Sequence, residues 1–218
     1  MPLTERTFDR LESFDPRSRQ FPVVEQFPER ELISRVWYLD TCLNQFAEGA
    51  CCGFGTTHAL LAEPKQGSVE KYDDDYARSV YHQAQLHDQF PGEEPEVSGT
   101  SVIEALREVK RRGDITSFRW SFGLQEALLG LSWYGPAVVG SKWTRGMEPD
   151  EWGYIHPTGR VLGGHCYLVN SININRKTVC VHNSWGEDWG TDGRAWLTWE
   201  DFESLLEDGG ECAFLEKP

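Results

Sequence analysis

The chain has 218 residues, 39 % of them hydrophobic and 26 % charged, a composition that fits one domain or two lobes sharing a core and excludes a disordered chain. No apolar run approaches the roughly 20 residues that span a bilayer, and a net charge of −14 argues against nucleic acid and anionic membrane surfaces as partners. Six cysteines, two of them adjacent, follow an opening segment "MPLTERTFDRLESFDPRSRQ" with no apolar h-region, so free thiols, no signal peptide and a cytoplasmic, reducing setting are expected.

Residues 1–34 are charged, carry Pro2, Pro16, Pro22 and Pro28, and read as an extended arm ahead of a domain covering 35–218. After "ELISRVWYLD", Gly49 and Ala50 precede a helical pattern from Cys51 to about Glu63. "SVEKYDDDYARSVYHQAQLHD" (68–88) has Val69, Tyr72, Tyr76, Val80 and Ala84 at helical spacing. A further helix is predicted over 99–114, with Thr100 or Ser101 as N-cap and Gly113 as stop signal, and another over 121–131. From about residue 136 the texture changes. "PAVVGSKW", "GHCYLVNSI", "TVCVHNSW" and "GRAWLTW" are short, β-branched and aromatic, as antiparallel strands are, and "WEDFESLLED" and "ECAFL" add a short helix and a last strand. The expected class is α+β, with a helical lobe over about 45–130, a β lobe over about 131–218, and a site between them.

The chemistry-bearing candidates begin with Cys51. A thiol becomes a nucleophile as its thiolate, which a helix N-terminus and a nearby imidazolium both favour. Cys51 stands at the first turn of a predicted helix behind small residues. Among the histidines, His58 lies two turns along the same helix, His82 and His87 fall on an acidic amphipathic helix, and His156 sits in a Pro/Gly loop. His165 differs: it opens a strand after Gly163 and Gly164, which leave room for close approach. The "HC" and "CVH" pairs at 165–166 and 180–182 lack the C-x-x-C form of common zinc sites. "DDD" at 73–75 and "EDWGTDG" lack calcium-loop spacing, so neither metal nor cofactor is expected.

Eighteen residues beyond His165 comes "NSWGEDWGTDG". Here the chain resembles the papain-like cysteine peptidases, whose pattern is a Gln, the nucleophilic Cys six residues on, a His on a strand, and an Asn within Asn-Ser-Trp-Gly-x-x-Trp-Gly-x-x-Gly. Gln45, Cys51, His165 and Asn183 occupy those positions, followed by Ser184, Trp185, Gly186, Trp189, Gly190 and Gly193. "GACCGF" stands where the family has Gly-Ser-Cys-Trp-Ala-Phe, which selects Cys51 and puts Cys52 in the Trp position. The resemblance implies a papain-like fold, with Cys51 on a helical left lobe, His165 and Asn183 on an antiparallel, β-barrel-like right lobe, and the site in the cleft between them. It also implies thiol-dependent endopeptidase activity through an acyl-enzyme on polypeptide substrates. Cys51 would be nucleophile, His165 acid and base, Asn183 the orienting group, Gln45 an oxyanion donor, and Trp185 a cover over the His–Asn bond.

Some positions depart from the pattern. Phe46 replaces the usual glycine after the Gln, and Glu48 replaces a cysteine that forms a disulfide in secreted members. The 114 residues from Cys51 to His165 are fewer than the roughly 130–150 of papain and cathepsins. The 44 residues before Gln45 are too few for a long inhibitory propeptide, so no zymogen of that kind is expected; the layout is similar to compact bacterial and phage members. Competing readings are a binding or assembly module, with a virion or other assembly partner, and an amidase acting on isopeptide or peptidoglycan amides. Within 140–164, Trp143 and Met147 are expected to join Gly163, Gly164 and Trp185 in lining the substrate cleft.

Overall fold

Helix α1 (Cys51–Leu61) has no Asp, Glu, Lys or Arg, and all eleven of its residues are buried. A helix apolar all round belongs inside, and small residues let its neighbours close on it. A side chain at Gly53 would strike the Ala77 carbonyl of α2 (Asp74–Gln85), and a Cβ at Gly55 would lie 2.9 Å from Cys166 Sγ on the opposite wall. The structure, a computed structural model, describes residues 6–26, 29–94 and 96–218.

The outer helices are amphipathic and capped. Asp73 accepts a hydrogen bond from Tyr76 N–H at the start of α2, and Ser101 accepts one from Glu104 N–H at the start of α3 (Val102–Arg111). Helix α4 (Leu124–Trp133) sends Ala127, Leu128 and Leu131 into the β-lobe core although it precedes that lobe in the chain. Thr198 caps α5 (Trp199–Glu207) by accepting from Asp201 N–H.

Strands β1 (Arg35–Val36), β2 (Ser117–Trp120), β3 (Ala137–Thr144), β4 (Val161–Asn173), β5 (Thr178–His182), β6 (Arg194–Thr198) and β7 (Glu211–Glu216) form one antiparallel sheet in the order β2-β7-β3-β4-β5-β6, with β1 on β4. The sheet is open, with β2 and β6 at its ends, and this corrects the expected barrel-like lobe. A barrel needs its end strands to pair, and here six residues of β7 bind β2 on one side and β3 on the other, extending the sheet instead.

The thirteen-residue β4 joins the lobes. Its Cys166 and Leu168 face the cluster built by α1, α2 and α3, whereas Tyr167 and Val169 face the β-lobe core. This two-residue alternation is what a pleated strand buried on both faces imposes. His165, opposite Ser141 on β3, lies near the start of β4.

Candidate active site in the interlobe cleft

Residues Ala50 and Cys51 open α1 with no capping side chain, so the helix presents its first backbone N–H groups unsatisfied by any cap. Cys51 is wholly buried there, as are His165 and Asn183. His165 Nε2 lies 2.8 Å from Asn183 Oδ1, which also accepts Ser184 N–H at 2.8 Å. An oxygen accepting a backbone N–H fixes the amide's orientation, so Nε2 carries the proton and Nδ1 is the basic nitrogen of the ring. Nδ1 is buried and has no hydrogen-bond partner of its own. Trp185 stacks on the imidazole at 4.6 Å between centroids and 20° between planes, shielding the His–Asn bond from water. Burial raises the Cys51 thiol well above its usual range, with the Cys52 thiol adding to the rise and the His165 imidazole pulling against it.

The segment carrying Gln45 is anchored from below. His58 Nε2 accepts Leu43 N–H at 2.9 Å, its ring meets that of His182 at 4.7 Å, and His182 Nδ1 accepts Arg194 Nε–H at 3.3 Å. Burial holds His58 well below the normal imidazole range and His182 down to about 3, so both stay neutral acceptors. Gln45 Oε1 accepts the Ser184 hydroxyl at 2.6 Å, and Nε2 donates to the Glu48 carbonyl at 2.9 Å and Thr7 Oγ1 at 3.3 Å. Phe46 holds a φ of 53°, in the left-handed region that favours glycine, which accounts physically for the glycine usual at that position. Glu48 receives Arg78 Nε–H at 3.0 Å and lies 2.9 Å from His82 Nε2, an ionic tie to α2.

Arm residues fill the cleft itself. Gly163 and Gly164 leave room for close approach, and what approaches is the arm backbone: side chains at these glycines would strike the Phe8 and Arg10 carbonyl oxygens. Arg10 N–H donates to the Gly164 carbonyl and Leu11 N–H to the Thr100 carbonyl, each at 2.9 Å, so the arm is pinned to both walls. The Phe8 ring meets His165 edge-on at 6.0 Å and Trp185 at 5.6 Å and stacks with Trp143 at 6.5 Å. The Arg6 guanidinium caps the Trp185 ring at 4.5 Å and pairs with Glu148. An extended residue covers about 3.3 Å, so a handful of arm residues suffice to cross the cleft. An open cavity of about 550 Å³ lies beside the Arg10 contacts, lined by Ser13, Phe14, Trp120, Gly209 and Glu211 among others.

Of the expected specificity residues, Trp143 is fully buried beneath Phe8. Met147 is also fully buried, its sulfur 3.5 Å from Thr144 N–H, in the β-lobe core. The contact that its loop position suggests is therefore replaced by packing. Cys52 donates to the Thr100 carbonyl at 3.2 Å from the buried face of α1. The arm contacts, the His58–His182 support and Glu211 carry no sequence motif.

The fold is that of the papain-like cysteine proteases. Among solved structures, xylellain, a cysteine protease from Xylella fastidiosa, superposes with a TM-score of 0.72 at 11 % identity, over 98 % of this chain and 97 % of its own. Digestive procathepsin L2 from Tenebrio molitor larval midgut gives 0.66 at 19 % identity over 99 % of this chain and 81 % of its own. Bromelain from Ananas comosus, solved with the inhibitor E64, gives 0.58 at 15 % identity over 85 % of this chain and 99 % of its own. No protein-family model matches the sequence, and no curated protein matches it.

Proposed function

We propose that the chain is a thiol-dependent endopeptidase, held latent here by its own arm. The observation that carries this reading is the buried 2.8 Å His165–Asn183 bond, which leaves the basic Nδ1 free in the same site as a thiol at an uncapped helix N-terminus. Cys51 gives its proton to His165 Nδ1 and its sulfur attacks the substrate carbonyl carbon. The oxyanion that forms takes hydrogen bonds from Cys51 N–H and the Gln45 amide, a kind of donor worth about 3 kcal/mol. The C–N bond breaks, the leaving amine takes the Nδ1 proton, and water assisted by the same nitrogen then hydrolyses the thioester.

None of this proceeds while the arm is seated, because substrate and arm require the same space. With the cleft closed, Cys51 is desolvated and its thiol stays protonated. When the arm leaves, water re-enters, the desolvation that raises the thiol falls away, and Gln45 loses its bond to Thr7.

The test is intact-mass labelling of the full chain with a peptidyl epoxide, for wild type, Cys51→Ala and Cys52→Ala. One adduct that disappears only with Cys51→Ala is the expected result. An adduct that follows Cys52, or none even after long incubation with arm-loosening variants, sinks the proposal.

A further inference from the structure

We propose that the pocket holding Arg10 is a guanidinium-selective pocket of the substrate cleft, so that preferred polypeptide substrates place an arginine there. This rests on the peptidase reading and deepens it. Backbone bonds to Gly164, the residue before His165, and through Leu11 to Thr100 on the facing wall hold the arm as an extended peptide would be held. From that backbone the Arg10 side chain turns inward. Its Nε and Nη2 donate to Glu211 Oε2 at 3.1 and 2.7 Å, and Nη2 donates to the Gly209 carbonyl at 3.1 Å.

The pocket is built rather than incidental. The Arg10 and Glu211 side chains are only 2 % and 1 % exposed, and the other charge nearby is Glu12, 3.9 Å from Nη1 at the half-exposed mouth. Glycine at 140 makes the space: a Cβ there would lie 2.7 Å from Val102 and 2.8 Å from Arg10 Nε. Glu211 Oε1 is buried without a hydrogen-bond partner, a further acceptor for a forked donor. Once the arm leaves, the Glu211 carboxylate and the Gly209 carbonyl are left as converging acceptors, which a cationic side chain of a substrate satisfies better than an apolar one does. A planar guanidinium, with several N–H donors, fits a carboxylate plus a carbonyl better than a lysine ammonium does. The same feature serves the arm: Arg10 competes for the pocket as a resident ligand.

The experiment uses the full chain with Arg10→Ala, alone and combined with Glu211→Gln, both checked for folding by thermal melting. Each is given fluorogenic peptides in which every residue flanking the cut is varied in turn. Arginine should be favoured over leucine by about tenfold or more at one position. Adding Glu211→Gln should erase that preference while selection at the other positions persists. Leucine favoured at every position, or an arginine preference that survives Glu211→Gln, overturns the pocket. Should no peptide be cut and Cys51 take no label, the peptidase reading fails on its own. The pocket is then judged by calorimetric titration of the Arg10→Ala chain with Ala-Arg-amide and Ala-Leu-amide. Binding of the arginine peptide alone, lost with Glu211→Gln, upholds it; equal binding or none overturns it.

Discussion

Helix α1, wholly buried, and the arm segment 6–12, mostly half-buried, lie against the same cleft and are held there for opposite reasons. The helix is interior because its side chains are small and apolar and have nowhere better to go. The arm is charged, and it is held by polar contacts: Arg10 meets Glu211, Thr7 meets the Glu48 carbonyl at 2.6 Å, and Arg6 meets Glu148. Water can replace every one of these partners, whereas nothing in water replaces the packing around Phe54. One side of the cleft is therefore permanent and the other conditional.

The sharpest way to break this comparison is to truncate one aromatic on each side. Phe54→Ala should cost about 3–5 kcal/mol of stability, read as a lower urea midpoint, because Phe54 is fully buried in α1. Phe8→Ala should leave the midpoint nearly in place and speed Cys51 labelling. A Phe8→Ala chain as unstable as Phe54→Ala would show the arm to be part of the core.

Acid attacks the permanent wall through its histidines. His58 and His182 are held neutral below their unfolded pKa of about 6.5, so the unfolded chain binds protons that the native one refuses. Their contribution is intact above about pH 6.5 and is lost as pH falls toward the folded values, by up to about 1.4 kcal/mol per pH unit for each. His58→Gln, which retains an acceptor, should flatten this slope in urea titrations between pH 7 and 5. An unchanged slope would remove His58 from the account.

The smallest effect belongs to a single arm charge. Arg10→Ala should raise the rate of Cys51 labelling by about tenfold, since a side-chain clasp of that kind contributes about 1.5–3 kcal/mol of which part is offset by desolvation. Added salt should do less, because the Arg10–Glu211 pair is buried and weakly screened. Labelling that is equally fast in wild type and Arg10→Ala would mean the arm leaves the cleft without hindrance.

Much of the fold was legible where local chemistry speaks. Ser101 caps α3 as its position before an apolar period predicts, and the short aromatic and β-branched runs after residue 136 form strands. Ends were misplaced where a local bond intervened. The helix expected over 68–88 runs over Asp74–Gln85 because Asp73 adopts an extended conformation and caps it, and that expected over 121–131 starts at Leu124 because Gly123 has a φ of 111°. Strand β2 escaped notice because four residues with no clean alternation become a strand only by pairing with β7, about a hundred residues away. At the site, Cys51, His165 and Asn183 were singled out by the resemblance, and all three lie buried, with His165 bonded to Asn183. His58 was set aside as too far along its helix from Cys51, yet it supports the Gln45 segment through Leu43.

By itself the sequence determined the α+β class and named the residues to look for at a site, because helical and strand periods and residue types are written locally. Only the tertiary structure decided what lies over them. Arg10 and Glu211 are 201 positions apart, and neither sits in a period or motif. A charged segment satisfies its polar groups as readily in water as in a cleft, so its place follows from the geometry of the partners that folding assembles.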